Sequence, residues 1–276
     1  MRASLALFMA LPLMSAAALG APTQYPDIQA QWRNPTANQG GNPWDPTKKM
    51  GLAQEAPLTP EYQAVLDASI ADQVNGGLGN SPTSRCFPAG MPHMMMAFGP
   101  QEYVVTSETT YILINWDDHN RRIFTEDWPQ ELEPTFAGYS IGKWIDEDGD
   151  GRYDVLQVET RNFKGPRAYD TAGLPLAFDN QSIFKERIYL DKADPKILHN
   201  EMTVIDHSLT RPWTVDKKYL RNPNPRPIWP EYYCGENNGQ VSIGKENYFL
   251  SGDGFLMPAH RNQAPPDLRY FRQTQK

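Results

Sequence analysis

Ser182-Ile183-Phe184-Lys185-Glu186-Arg187-Ile188-Tyr189-Leu190 is the stretch whose reading decides the fold. Successive side chains of a strand point to opposite faces, so Phe184, Ile188 and Leu190 share one face. Glu186 lies on that same apolar face. A strand of this kind must bury the face against other strands, with a carboxylate carried inside.

The same period of two recurs on either side. It marks candidate strands at 101–106, 109–116, 121–125, 139–145, 153–161, 182–190, 197–206 and 213–220, separated by turn residues. Within 153–161, Leu156 and Val158 share a face with Thr160 and, just beyond, Asn162. Within 197–206, Leu198, Met202 and Val204 carry Asn200 and Asp206 with them, while His199 and Glu201 face the other way. Short connections favour antiparallel neighbours, and closing eight strands into a barrel removes the exposed edges. The expected fold is therefore all-β: an antiparallel, lipocalin-like barrel over residues 101–238. An open β-sandwich is the second arrangement compatible with the pattern. An interior of apolar walls with a few polar groups is what a ligand pocket requires.

Residues 21–100 read as an N-terminal arm, a short helix and a covering loop. The arm, 21–57, is rich in Pro, Gly, Asn and Gln and reads as irregular. Thr59 is a good N-cap, Pro60 suits the first helical position, and Glu61 offsets the positive end of the dipole. Tyr62, Val65, Leu66 and Ile70 then form an apolar stripe that ends near Gly76-Gly77. Residues 239–276 read as an irregular C-terminal segment.

Residues 1–20 read as a cleavable export signal. Arg2 gives a positive start, Leu5 to Leu13 a short apolar core, and Ala18 and Gly20 the small side chains a signal peptidase requires. No other stretch approaches membrane length, so the expected location is periplasmic or secreted. A net charge of −7 with scattered Lys and Arg argues against nucleic acid as a partner. Cys86 and Cys234 are the only cysteines, and an oxidising compartment predicts one disulfide between them. Two free thiols or a shared metal are the alternatives.

Asp146-Glu147-Asp148-Gly149-Asp150-Gly151-Arg152-Tyr153-Asp154 places carboxylates at relative positions 1, 3, 5 and 9. Calcium takes six to eight hard oxygen ligands, and a tight Asp-rich loop with a glycine at the sharp turn gathers them. The expected ligands are Asp146, Asp148, Asp150 and Asp154, with the carbonyl of Arg152. Position 12 is Gln157 in place of the bidentate Glu of an EF-hand, so the loop is of the kind found between strands. A solvated hairpin turn is the plain alternative, and in either case the role is structural.

No nucleophile elbow, zinc motif or Gly-rich phosphate loop occurs. What remains is acid–base chemistry. Burial among apolar groups disfavours the charged form of a carboxyl, which suits Glu186 to a general acid or base, with Asp170, Asn162 and His119 at strand ends to complete a site. Against this stand a salt bridge from Glu186 to Arg161 or Arg187, and a place for His119 in an exposed turn. His93-Met94-Met95-Met96 invites a copper reading, for which packing is the better account. Trp116, Trp128, Trp144 and Trp213 can line a pocket or form the core.

Several short motifs then fall in order. They are Cys86-Phe87-Pro88-Ala89-Gly90-Met91-Pro92, Ser140-Ile141-Gly142-Lys143-Trp144, Glu186-Arg187, Arg211-Pro212-Trp213-Thr214 and Tyr233-Cys234-Gly235-Glu236-Asn237-Asn238. Over residues 84–238 the chain resembles a large group of exported bacterial β-rich proteins that have no assigned activity. The group's pattern has a short Glu-Gly-Asp turn after the Trp, where this chain has its Asp-rich segment. The resemblance therefore implies no catalytic role and no general calcium site. The expected function is a cavity for a small apolar or aromatic ligand, serving an acid–base lyase, isomerase or hydrolase. A non-catalytic carrier and a cell-envelope interaction module, each stabilised by calcium, are the alternatives.

Overall fold

The computed structural model describes residues 24–35 and 56–266, apart from 97–98, 117–118, 232–233, 235–238, 244–245 and 252. The expected signal, 1–20, lies outside the described residues. Nine strands close into a barrel in the order β1 to β9: β1 Gln31–Arg33, β2 Gln101–Val105, β3 Thr109–Ile114, β4 His119–Phe124, β5 Tyr139–Ile145, β6 Val155–Arg161, β7 Ile183–Leu190, β8 Ile197–Ile205 and β9 Trp213–Arg221. The all-β barrel expected from the alternation is present.

Three details differ from expectation. First, β4 and β5 run parallel, pairing Ile123 with Ser140 and Phe124 with Ile141. The long 125–138 connection returns the chain to the starting end, which a short hairpin cannot do. Second, a ninth strand comes from the arm that reads as irregular. Trp32 pairs with Arg221 on one side and Gln101 on the other, so β1 closes the ring between β9 and β2. Its indole is fully buried, donates to the Ile28 carbonyl at 2.9 Å and carries the Arg221 guanidinium over its ring. Three residues are too few for alternation to register. Third, the expected irregular segment 239–276 holds a small antiparallel sheet: β10 Gln240–Ile243, β11 Glu246–Leu250 and β12 Leu256–Pro258.

Among the described residues there is a single α-helix, α1 (Pro60–Val74). Thr59 caps it by accepting from the Tyr62 amide at 3.4 Å. Leu66 packs on the core, whereas Ile70 is exposed and Ser69 is the buried residue, bonded to Asn80 at 2.9 Å. No helix among the described residues is long and apolar enough to cross a membrane. The expected disulfide joins Cys86 to Cys234 across 148 residues.

The inward faces follow the alternation. Leu156, Val158, Thr160, Phe184, Ile188, Leu198, Met202 and Val204 are buried, as are Trp116, Trp144 and Trp213. The 76–100 segment does more than cover the barrel, because Met91, His93, Met94, Met95 and Met96 are all buried in the core. Arg167 holds the Met91 carbonyl at 2.9 Å and Tyr219 holds the Met95 carbonyl at 2.9 Å. These two bonds pin the segment as an internal plug. Packing accounts for the methionines.

Candidate functional site

β4 and β7 carry the two charges at the centre of the interior. Arg121 and Glu186 are almost wholly buried, and the guanidinium grips the carboxylate through both terminal nitrogens, Nη1 to Oε1 at 3.0 Å and Nη2 to Oε2. The same guanidinium donates to Thr160 Oγ1 at 2.8 Å and to Ser140 Oγ at 3.3 Å. Asn200 Nδ2 donates to Glu186 Oε1 at 2.8 Å. A buried charge stands only when it is paired and its remaining hydrogen-bonding capacity is used, and here five strands contribute to that. The partner of Glu186 is thus Arg121. Arg161 is exposed and binds Glu159 at 2.5 Å, and Arg187 binds Glu147 at 2.8 Å.

Around this pair lies a second set of buried polar groups. Lys217 faces inward from β9 opposite Asn200. Tyr103, Tyr219 and Gln101 are buried, and the Tyr219 hydroxyl borders the side chains of Gln101 and Asn200. His93, on the plug, packs edge-on against Trp116 at 4.7 Å. Burial, aided by the charge of Lys217, lowers its pKa to about 3, so the ring is neutral. Among the described residues, neither nitrogen of His93 has a hydrogen-bond partner, nor do the Tyr103 hydroxyl, the Gln101 carbonyl oxygen and the Asn200 carbonyl oxygen. Most buried polar atoms in folded proteins are paired, and these five are among eleven exceptions in the described residues.

Of the expected acid–base residues, Glu186, Asp170 and Asn162 lie in separate surroundings. Glu186 sits in the ion pair. Asp170 is buried in the β6–β7 connection, where desolvation raises its pKa against an opposing bond from the Leu174 amide at 3.2 Å. Asn162 ends β6 in a left-handed conformation, φ 66°, and borders an outer cleft. His119 begins β4, paired with Ile114. Arg121, Lys217 and Tyr103 did not emerge from the sequence as site residues, and His93 stood out there only beside the three methionines.

The Asp-rich loop forms a cluster of its own between β5 and β6. Ligand oxygens of Asp146, Asp148 and Asp154 lie within 4.8 Å of one another and can hold a metal ion. Amides shape the turn: Gly149 and Gly151 donate to the two oxygens of Asp146 at 2.7 and 2.9 Å, and Glu147 donates to Asp154 at 2.8 Å. Asp150 stays outside this group and takes the Arg152 amide at 2.8 Å. Positive φ at Gly149 and Gly151 permits the fold of the loop.

A scan against protein-family models gives no match to the chain, and a search of curated proteins gives none.

Proposed function

We propose that this is an exported binding protein that takes a small apolar or aromatic molecule bearing one or two polar groups into its barrel. The observation that carries the reading is a set of buried polar atoms near the Arg121–Glu186 pair that lack a hydrogen-bond partner among the described residues: both ring nitrogens of His93, the Tyr103 hydroxyl and the carbonyl oxygens of Gln101 and Asn200. Pockets for small molecules combine apolar walls with a few fixed polar groups, and the interior has that composition. The ligand enters by exchange with the methionine side chains of the plug. Unbranched thioethers repack readily, which makes Met91, Met94, Met95 and Met96 suited to yielding space. A carrier role is better supported than acid–base catalysis, because Glu186 is held by an arginine and an amide. Periplasmic or secreted location belongs to the same reading, as does membership of the exported β-rich group that residues 84–238 resemble.

Calcium is the ion we assign to the Asp146, Asp148 and Asp154 cluster. The donor set fits it, since carboxylate oxygens are hard ligands and the loop leaves the site open to further ligands and water. Bound calcium would neutralise the repulsion among three neighbouring carboxylates and fix the β5–β6 connection.

Differential scanning fluorimetry with aromatic and aliphatic compounds carrying hydroxyl or carbonyl groups tests the binding reading. A subset should raise the melting temperature, and Tyr103→Phe and His93→Leu should abolish the gain. If no compound stabilises the protein, or the variants respond as the parent does, the interior is a packed core and the proposal fails.

A further inference from the structure

A second cleft lies outside the barrel, with a volume of about 730 Å³, between the 128–134 segment and the turns at 161–164 and 179–183. It shares no residue with the Arg121–Glu186 centre or with the Asp loop. Its floor and walls have a distinct chemistry. Trp128 is half-buried, its ring held by Tyr139 at 6.0 Å and by the Arg161 guanidinium at 5.5 Å, so it offers a fixed flat apolar surface. Gln130, Gln181, Asn162 and Asn180 supply amides.

Asn162 and Asn180 both adopt left-handed backbone conformations, φ 66° and 59°. Asn is the non-glycine residue that bears such geometry best, and these two turns set the edges of the cleft. The Asn180 carbonyl oxygen is anchored by Arg167 at 3.4 Å. Among the described residues, the buried Asn162 Nδ2 has no hydrogen-bond acceptor. At the rim Arg161 binds Glu159 and Asp179 binds His207, both at 2.5 Å, while Lys164 lies over the Phe136 ring at 6.0 Å. The mixed polar lining disfavours a lipid chain.

We infer that this cleft binds a saccharide. A sugar ring has an apolar face to lie on the Trp128 indole and vicinal hydroxyls that both donate and accept. Side-chain amides match such hydroxyls because each offers both roles. The cleft volume is within the range of small-molecule sites.

The test is titration of the full protein with a panel of neutral and acidic oligosaccharides, followed by tryptophan fluorescence and calorimetry. Asn162→Gly is the decisive variant, since glycine keeps the left-handed backbone while removing the amide. Saccharide binding that weakens at least tenfold in both Asn162→Gly and Trp128→Ala, with unchanged far-ultraviolet circular dichroism, supports the inference. Absence of binding at millimolar concentration overturns it, as does parent-like binding in either variant. Tyr103→Phe should leave saccharide binding intact, which separates this site from the interior one.

Discussion

Arg121 on β4 and Glu186 on β7 meet inside the barrel with both terminal guanidinium nitrogens on the carboxylate, and neither residue is more than about 2% exposed. The pair bridges strands that are not neighbours in the sheet, so it ties one wall to another through the core. Removing one charge leaves the other desolvated and alone. Glu186→Gln and Arg121→Met should each cost about 3–5 kcal/mol in urea unfolding. The double variant Arg121→Met with Glu186→Leu should recover much of that loss. A near-neutral effect of either single change would mean that the pair does not bear on stability.

His93 sets an acid-side dependence of stability. Its folded pKa of about 3 lies below the ordinary value of 6.5, so between these values the unfolded chain holds a proton that the native ring does not. Stability should therefore fall as pH is lowered from 6.5 towards 3, by up to about 1.4 kcal/mol per pH unit from this group. Asp170 acts in the opposite sense: its raised pKa gives stability that is lost as pH rises through that value. The two are separated by comparing parent and His93→Leu, whose difference in melting temperature should narrow or reverse on going from pH 7 to pH 4.5. A difference independent of pH would show that the ring is not buried neutral.

These contacts also show how far the sequence could be read. The alternation in 182–190 placed Phe184, Glu186 and Ile188 on one inward face because a packed barrel enforces the strand period. Carried one step further, it points Arg187 and Arg161 outward, next to inward Glu186 and Thr160. It thus argues against both as the partner of Glu186. Arg121 was harder to see, since Arg121 and Arg122 are adjacent and only pairing with β3 and β5 decides which turns in. The three residues of β1 are too few to show a period. The plug was visible only as a loop, because its burial comes from the surrounding barrel and not from any pattern of its own.

The Cys86–Cys234 disulfide ties the chain ahead of β2 to the chain beyond β9. Closing a loop of 148 residues should contribute about 5 kcal/mol by the chain-entropy relation. The double serine variant should unfold at correspondingly lower denaturant, and reduction should slow the parent's migration in a denaturing gel. Unchanged migration on reduction would exclude the bond.

Chelation addresses the Asp loop. Calcium at 100 times its dissociation constant stabilises by about 2.7 kcal/mol, so EDTA should lower the melting temperature and added calcium restore it. Asp148→Ala should remove that dependence, whereas Asp150→Ala should largely keep it, since Asp150 lies outside the three-carboxylate cluster. Equal loss in both variants would redraw the ligand set.

The barrel interior as a binding site is tested most directly by native mass spectrometry of the protein isolated without unfolding. The account predicts a stoichiometric adduct of small-molecule mass that is released on denaturation and is missing from His93→Leu. A spectrum showing only the polypeptide, with at most a bound metal ion, before and after exposure to the stabilising compounds would contradict it.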